Sequence, residues 1–131
     1  MEDNFKFEII TPERIFFSDD VKMVTLPSYE GDMSILKYHI SIITFLRPGI
    51  IKVQKNDESF ENFFVQEGTV EYFNDSLVVL SASAINVKDL SQEFVDNLTK
   101  DSQEKLTDKN ITDHDRYVLN HKLDALKEIR V

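Results

Sequence analysis

Phe5, Phe7 and Ile9 alternate with Lys6 and Glu8 near the start of the chain, the period of two that puts one face of a β-strand in a core and the other in water. Further short runs rich in β-branched and aromatic residues follow at Val21–Leu26, Ile42–Leu46, Ile50–Val53, Phe60–Val65, Val70–Phe73, Leu77–Leu80 and Ala84–Val87. Between them stand the Gly, Pro, Asn and Asp residues that turns demand, at Ser28–Asp32, Pro48–Gly49, Lys55–Asp57 and Asn74–Asp75. This spacing predicts an all-β sandwich or flattened barrel of about ten short strands. No helical period fits between the runs, which argues against a parallel α/β sheet.

The pattern changes at Ser91. Ser91 reads as an N-cap with Leu90 and Val95 placed to pack on each other as a hydrophobic staple, and Phe94, Val95 and Leu98 follow at helical spacing. A first helix is predicted to run to about Lys105. Thr112 opens a second: Thr112-Asp113-His114-Asp115 resembles a capping box with Asp in the closing position, and Asp113 and Asp115 suit the positive helix end. Its apolar stripe is Val118, Leu119, Ala125, Leu126 and Ile129, with Leu123 on the flank, and Lys127 and Arg130 fall in the last turn. The expected organisation is a β-sandwich domain over residues 1–87 and a C-terminal α-helical hairpin over 88–131. Ordering a residue costs roughly 1 to 2 kcal/mol of backbone entropy, and each buried apolar side chain returns about 1.5 to 3 kcal/mol. With so thin a stripe the hairpin cannot stand alone. It must lie on the sandwich or on a partner, and such marginal docking predicts a tail that changes position.

Composition narrows the function. With 131 residues, 41% of them hydrophobic, the chain holds one ordinary core and an appendage. The formal charge is −9; residues 1–87 carry 7 basic and 14 acidic groups, against 8 and 10 in residues 88–131. A nucleic-acid partner would need clustered Lys and Arg to replace the counterions of phosphates, and no such stripe exists. The start, Met1-Glu2-Asp3-Asn4, lacks the basic and apolar regions of a secretory signal, which predicts a cytoplasmic protein. No apolar run approaches the roughly 18 to 20 residues that span a bilayer, so membrane association is expected only through a partner. There are no cysteines, hence no disulfide or thiolate chemistry.

Catalytic signatures are missing: the sequence holds no phosphate-binding Gly-rich loop, nucleophile elbow or His-Glu-x-x-His motif. The chain is read as a docking protein and not an enzyme, with no cofactor and no metal site. His114 and His121 stand seven residues apart, about 10.5 Å along a helix and too far to share one ion. His39 stands alone. The pair Asp19-Asp20 reads as a solvated turn before a strand, and Glu30 and Asp32 flank Gly31 as turn formers or partner contacts.

The string Phe7-Glu8-Ile9-Ile10-Thr11-Pro12-Glu13-Arg14, followed by Phe17-Ser18, resembles the opening of the epsilon subunit of bacterial F-type ATP synthases. Leu26-Pro27-Ser28, Glu30-Gly31-Asp32, Ile35-Leu36, His39, Leu46, Pro48-Gly49, Gly68, Val79-Leu80 and Ala84 continue the likeness in register, and with the two-helix tail it covers nearly the whole chain. Departures are Ser34 and Ile40 in place of a usual Gly and Ala, Thr69 after Glu67-Gly68 where a Gly-Gly pair and an apolar residue are common, and Ala82 where Asp is frequent.

The resemblance implies a non-catalytic rotor subunit of the central stalk, coupling rotation of the c-ring to the catalytic head. Its implied partners are the gamma subunit and the c-ring, with the alpha/beta catalytic head added if the tail extends. Its implied place is the cytoplasmic face of the bacterial plasma membrane, held there by the complex. On Glu30, Asp32 and His39 fall the expected contacts with the c-ring, and Lys122, Lys127 and Arg130 are the candidate cations of a tail that restrains ATP hydrolysis. Some family members bind ATP through a motif of Ile or Leu, Asp, two residues, Arg, Ala. Thr112–Tyr117 matches its Asp and Arg alone, making Asp113 and Arg116 the candidate nucleotide contacts, with Tyr117 at the Ala position. Two other readings stay open: a free-standing β-sandwich adaptor, and a nucleotide-sensing module.

Overall fold

A computed structural model describes residues 3–129; Arg130, the last of the candidate tail cations, lies outside the described residues. Among those, nine strands precede a short 3-10 turn and two helices. They are β1 (Phe5–Thr11), β2 (Arg14–Ser28), β3 (Gly31–Leu36), β4 (Ile42–Leu46), β5 (Gly49–Lys55), β6 (Phe60–Val65), β7 (Gly68–Phe73), β8 (Ser76–Leu80) and β9 (Ala84–Asn86). The 3-10 turn is Val87–Asp89, and the helices are α1 (Gln92–Lys105) and α2 (Asp113–Glu128).

The long β2 organises the sandwich. Its first half pairs with β1, from Thr11↔Arg14 to Phe5↔Val21, and its second half pairs with β3 and β5. The strand therefore leaves one layer, β1-β8-β7-β4, and enters the other, β3-β2-β5-β6-β9. Ser28↔Leu46 ties β2 to β4 and closes the path as a flattened barrel. All pairs are antiparallel except β1 with β8. Between the layers Phe7, Ile9, Leu26, Ile51, Phe63, Tyr72, Leu77 and Val79 are removed from water, the residues that period-two alternation assigns to the inner faces.

Three expectations are corrected. Asp19 and Asp20 do not form a turn; they sit inside β2, opposite Phe7 and Lys6, with Asp19 Oδ2 3.6 Å from Lys55 Nζ. The β1 ladder extends the strand through them, and an ion pair at the sheet edge accommodates the charge. β3 was not anticipated, because its inward residues, Met33 and Ile35, make too short an alternation to stand out. The last strand ends at Asn86 instead of Val87, since the Asn86 side chain accepts a hydrogen bond from Lys88 N at 3.0 Å and starts the 3-10 turn.

Turn chemistry follows the sequence. Asn74 and Asp75 both take positive φ, 52° and 60°, the conformation of a two-residue hairpin that matches strand twist. Gly68 permits a close approach: a Cβ there would lie 2.5 Å from the Leu80 carbonyl oxygen, so any side chain would push β7 from β8.

Both helices are capped as predicted. Ser91 Oγ accepts from Phe94 N and Thr112 Oγ1 accepts from Asp115 N, each at 3.0 Å, contacts worth about 1 kcal/mol apiece. Leu90 and Val95 are buried in one cluster with Phe64, Ala125, Leu126 and Ile129, so the staple also fastens the hairpin to the sandwich. The hairpin covers the outer face of β5, β6 and β9, against Ile50, Phe64 and Ile85. Phe94 turns out to be exposed. Lys122, by contrast, is only 8% accessible: it follows Leu119 by three residues and precedes Leu126 by four, so helix periodicity places it on the buried stripe.

Candidate functional site

The two outer faces of the sandwich are treated differently. One carries the helices; the other, formed by β1, β8, β7 and β4, is bare of any described element and strongly apolar. Register puts Phe45, Thr69, Leu80, Ile10 and Ile15 side by side in one row across five strands. The next row holds Ile43, Glu71, Val78 and Glu8. Ile43 is 74% accessible, Phe45 60% and, at the next outward position of β7, Phe73 65%. Apolar side chains contiguous on a solvent face mark an interaction surface.

The expected contacts with the c-ring are divided between two ends of β3. At its start, Glu30 and Asp32 occupy the β2–β3 hairpin, where Gly31 takes φ 124°. Arg47 braces this hairpin, donating from Nη1 to the Ser28 carbonyl at 2.9 Å and lying 3.5 Å from Asp32 Oδ1 through Nη2. Asp32 and Glu30 remain exposed. His39 follows the far end of β3, where Tyr38 takes φ 71°. Its Nδ1 lies 2.7 Å from the Ile40 carbonyl oxygen and its ring meets Tyr72 edge-on at 5.7 Å. The Tyr72 hydroxyl donates to Asp75 Oδ1 at 2.9 Å and is pushed up to about 12 by burial first and by that hydrogen bond second. The strand thus separates His39 from the two carboxylates by its full length.

The β2–β3 hairpin also meets the tail. Tyr29 stacks on Tyr117 with ring centroids 5.4 Å apart, and His114 extends the stack on Tyr29 at 6.4 Å. The Tyr117 hydroxyl donates to the Tyr29 carbonyl at 3.1 Å, and the Tyr29 hydroxyl donates to Glu67 Oε2 at 2.8 Å. Burial, then the Glu67 carboxylate, pushes the Tyr29 hydroxyl up to about 12.

Among the tail cations, Lys127 is exposed, whereas Lys122 is buried and pulled below its ordinary value by burial, with Lys105 adding to the effect. Lys122, one of the candidate cations of the tail, is therefore covered while the hairpin is docked. Asp113 and Arg116 are both exposed on the first turn of α2. Among the described residues no three His, Asp or Glu side chains gather to hold a metal ion, and no helix is long and apolar enough to cross a membrane.

The sequence model of the ATP synthase delta/epsilon chain β-sandwich domain matches residues 4–87. The ATP synthase epsilon chain of Pelagibacter ubique is 43% identical over 131 residues, covering 98% of this chain and 99% of its own. That of Parvibaculum lavamentivorans is 35% identical, with 99% and 98% covered. The chain belongs to the ATP synthase epsilon-chain family.

Solved structures agree on the fold at low identity. A chain of the Euglena gracilis mitochondrial ATP synthase superposes with a TM-score of 0.75 at 14% identity, covering 95% of this chain and 78% of that one. A chain from the central stalk and c-ring of the Tetrahymena thermophila enzyme gives 0.61 at 13%, covering 94% and 93%.

For an epsilon-chain family member the bare apolar face is the feature that residue-by-residue reading missed. One signal was available: β4 reads Ile42-Ile43-Thr44-Phe45-Leu46, apolar on both sides, whereas an antiparallel strand with one solvated face alternates.

Proposed function

We propose that the chain is the central-stalk rotor subunit of a proton-translocating F-type ATP synthase, with its work divided near residue 87. In this reading the sandwich binds the gamma subunit and rests on the c-ring, passing rotation of the ring to the catalytic head. The helical tail is the regulator, restraining ATP hydrolysis when it leaves the sandwich for the alpha/beta head. The complex holds the chain at the cytoplasmic face of the bacterial plasma membrane.

The observation that carries this reading is the row Phe45, Leu80, Ile10 and Ile15 with its neighbours Ile43 and Phe73. A coupling element must resist torque, and side chains fixed on five hydrogen-bonded strands form a stiffer docking face than a loop does. The hairpin at Glu30 and Asp32 lies at one edge of the same molecule, exposed and braced by Arg47, and suits contact with polar loops of the ring. Lys122 is covered while the helices lie down, so a restraining contact through it requires the tail to lift.

Mixing the purified chain with purified gamma subunit tests the reading. A one-to-one complex stable through gel filtration is expected, and two separate peaks would overturn it. A second measurement addresses the hairpin. Asp32→Lys reverses a charge whose pairing with Arg47 is exposed to solvent, so folding should change little. Proton-coupled ATP synthesis in the assembled enzyme should fall about fivefold, as expected for one like-charge contact at an interface rim. Unchanged synthesis would leave Asp32 as a brace of the hairpin and nothing more.

A further inference from the structure

The tail meets the sandwich at a cleft of about 250 Å³ whose walls include Asp32, Arg47, Lys52, His121, Asp124 and Glu128. His121 reaches it from α2, half-buried, its ring 4.2 Å from that of Tyr117. Tyr117 in turn stacks on Tyr29, so the contact joins the second helix to the β2–β3 hairpin across 88 residues of chain. We propose that Tyr29, Tyr117, His121 and Arg47 form a latch for the C-terminal helices that opens on acidification, by protonation of His121. The proposal rests on the reading that the tail leaves the sandwich, and adds what triggers it.

The charges around His121 decide the direction. Arg47 of the sandwich and Asp124 of its own helix act on the ring, Tyr117 packs against it, and Asp32, Lys52 and Glu128 line the same cleft. Two of these carboxylates already have partners: Asp32 lies 3.5 Å from Arg47, and Glu128 lies 3.8 Å from Lys52. Asp124 is exposed, and none of the described carboxylates forms an ion pair with the ring. A proton on His121 would therefore place a cation in a half-buried site facing Arg47, with only a solvated carboxylate to oppose it. Consistent with this, burial and then Arg47 hold His121 below its ordinary value of 6.5, while Asp124 pulls the other way.

The sign follows from linkage. A released tail exposes His121 to water, where it binds a proton more readily than in the docked state, so the released state holds more protons at acid pH. Docking is at full strength above pH 6.5 and is lost as pH falls through the depressed value in the docked form. His114, which also stacks on Tyr29, is exposed.

The chain has no cysteine, so Asn56→Cys with Asn120→Cys gives a clean pair for spin labels on the β5–β6 turn and the exposed side of α2. Distances are read in the full-length chain. A docked distance is expected near pH 8, with the released fraction rising at least about threefold by roughly pH 5.5. His121→Phe keeps the ring against Tyr117 without the charge and should remove that rise. Acid release that persists in His121→Phe would overturn the latch. A distance unmoved by acid, in a chain whose tail Tyr117→Ala does release, would overturn the latch alone. If neither acid nor Tyr117→Ala moves the label, the mobile tail fails with it.

Discussion

Phe45→Asp is expected to weaken binding of the gamma subunit by about a thousandfold while leaving the sandwich folded. Phe45 is the first residue of the exposed row that runs through Thr69 and Leu80 to Ile10 and Ile15. Covering a Phe side chain stabilises a complex by about 1.5 to 3 kcal/mol, and a carboxylate trapped in its place without a partner costs further kcal/mol. A total near 4 kcal/mol corresponds to about three decades of affinity. The folded chain does not use this side chain, which points into water at the surface of β4, so the melting temperature should move by only a few degrees. Titration calorimetry against gamma, alongside thermal denaturation of the free chain, separates the two. Undiminished affinity would move gamma to another face.

Phe63→Ala is expected to destabilise the free chain by about 3 to 5 kcal/mol. Phe63 is 1% accessible at the centre of β6, with Phe17 at 4.8 Å and Phe16 at 5.9 Å between ring centroids. Those two rings come from β2, where Phe16 is the extra residue of a bulge: Ile9 pairs with Phe17, whereas Ile10 pairs with Ile15. Removing the Phe63 ring would leave a cavity between the two layers beside the bulge of β2. Because small domains hold only about 5 to 15 kcal/mol in total, urea denaturation should show a midpoint lowered by about a fifth or more, with an unchanged slope. A loss below about 1 kcal/mol would mean that the bulge collapses into the space.

The two substitutions affect residues of similar chemistry with opposite consequences, and the strand pattern alone does not tell them apart. Phe63 stands in a run, Phe60–Val65, recognisable as a strand, as does Phe45 in Ile42–Leu46. In each case alternation says which residues share a side. It does not say whether that side meets another layer, a helix or water. Glu30 and Asp32 were legible as turn formers or partner contacts from Gly31 between them, yet their separation from His39 depends on β3, whose two inward residues were too few to announce a strand.

Local sequence determined the parts of this protein. Alternation set the inner faces of the strands, Asn74-Asp75 set a tight hairpin, and Ser91 and Thr112 set the helix starts, because each depends on residues within a few positions of one another. Likeness of motif order along the chain reached the family. Tertiary structure alone decided which surfaces are covered. The helices lie on β5, β6 and β9, which leaves the row from Phe45 to Ile15 bare, buries Lys122, and brings Tyr117 and His121 to Tyr29 and Arg47. Those outcomes come from contacts between residues tens of positions apart, formed wherever the burial of apolar area outweighs the entropy of closing the chain, and periodicity within one segment carries no record of them.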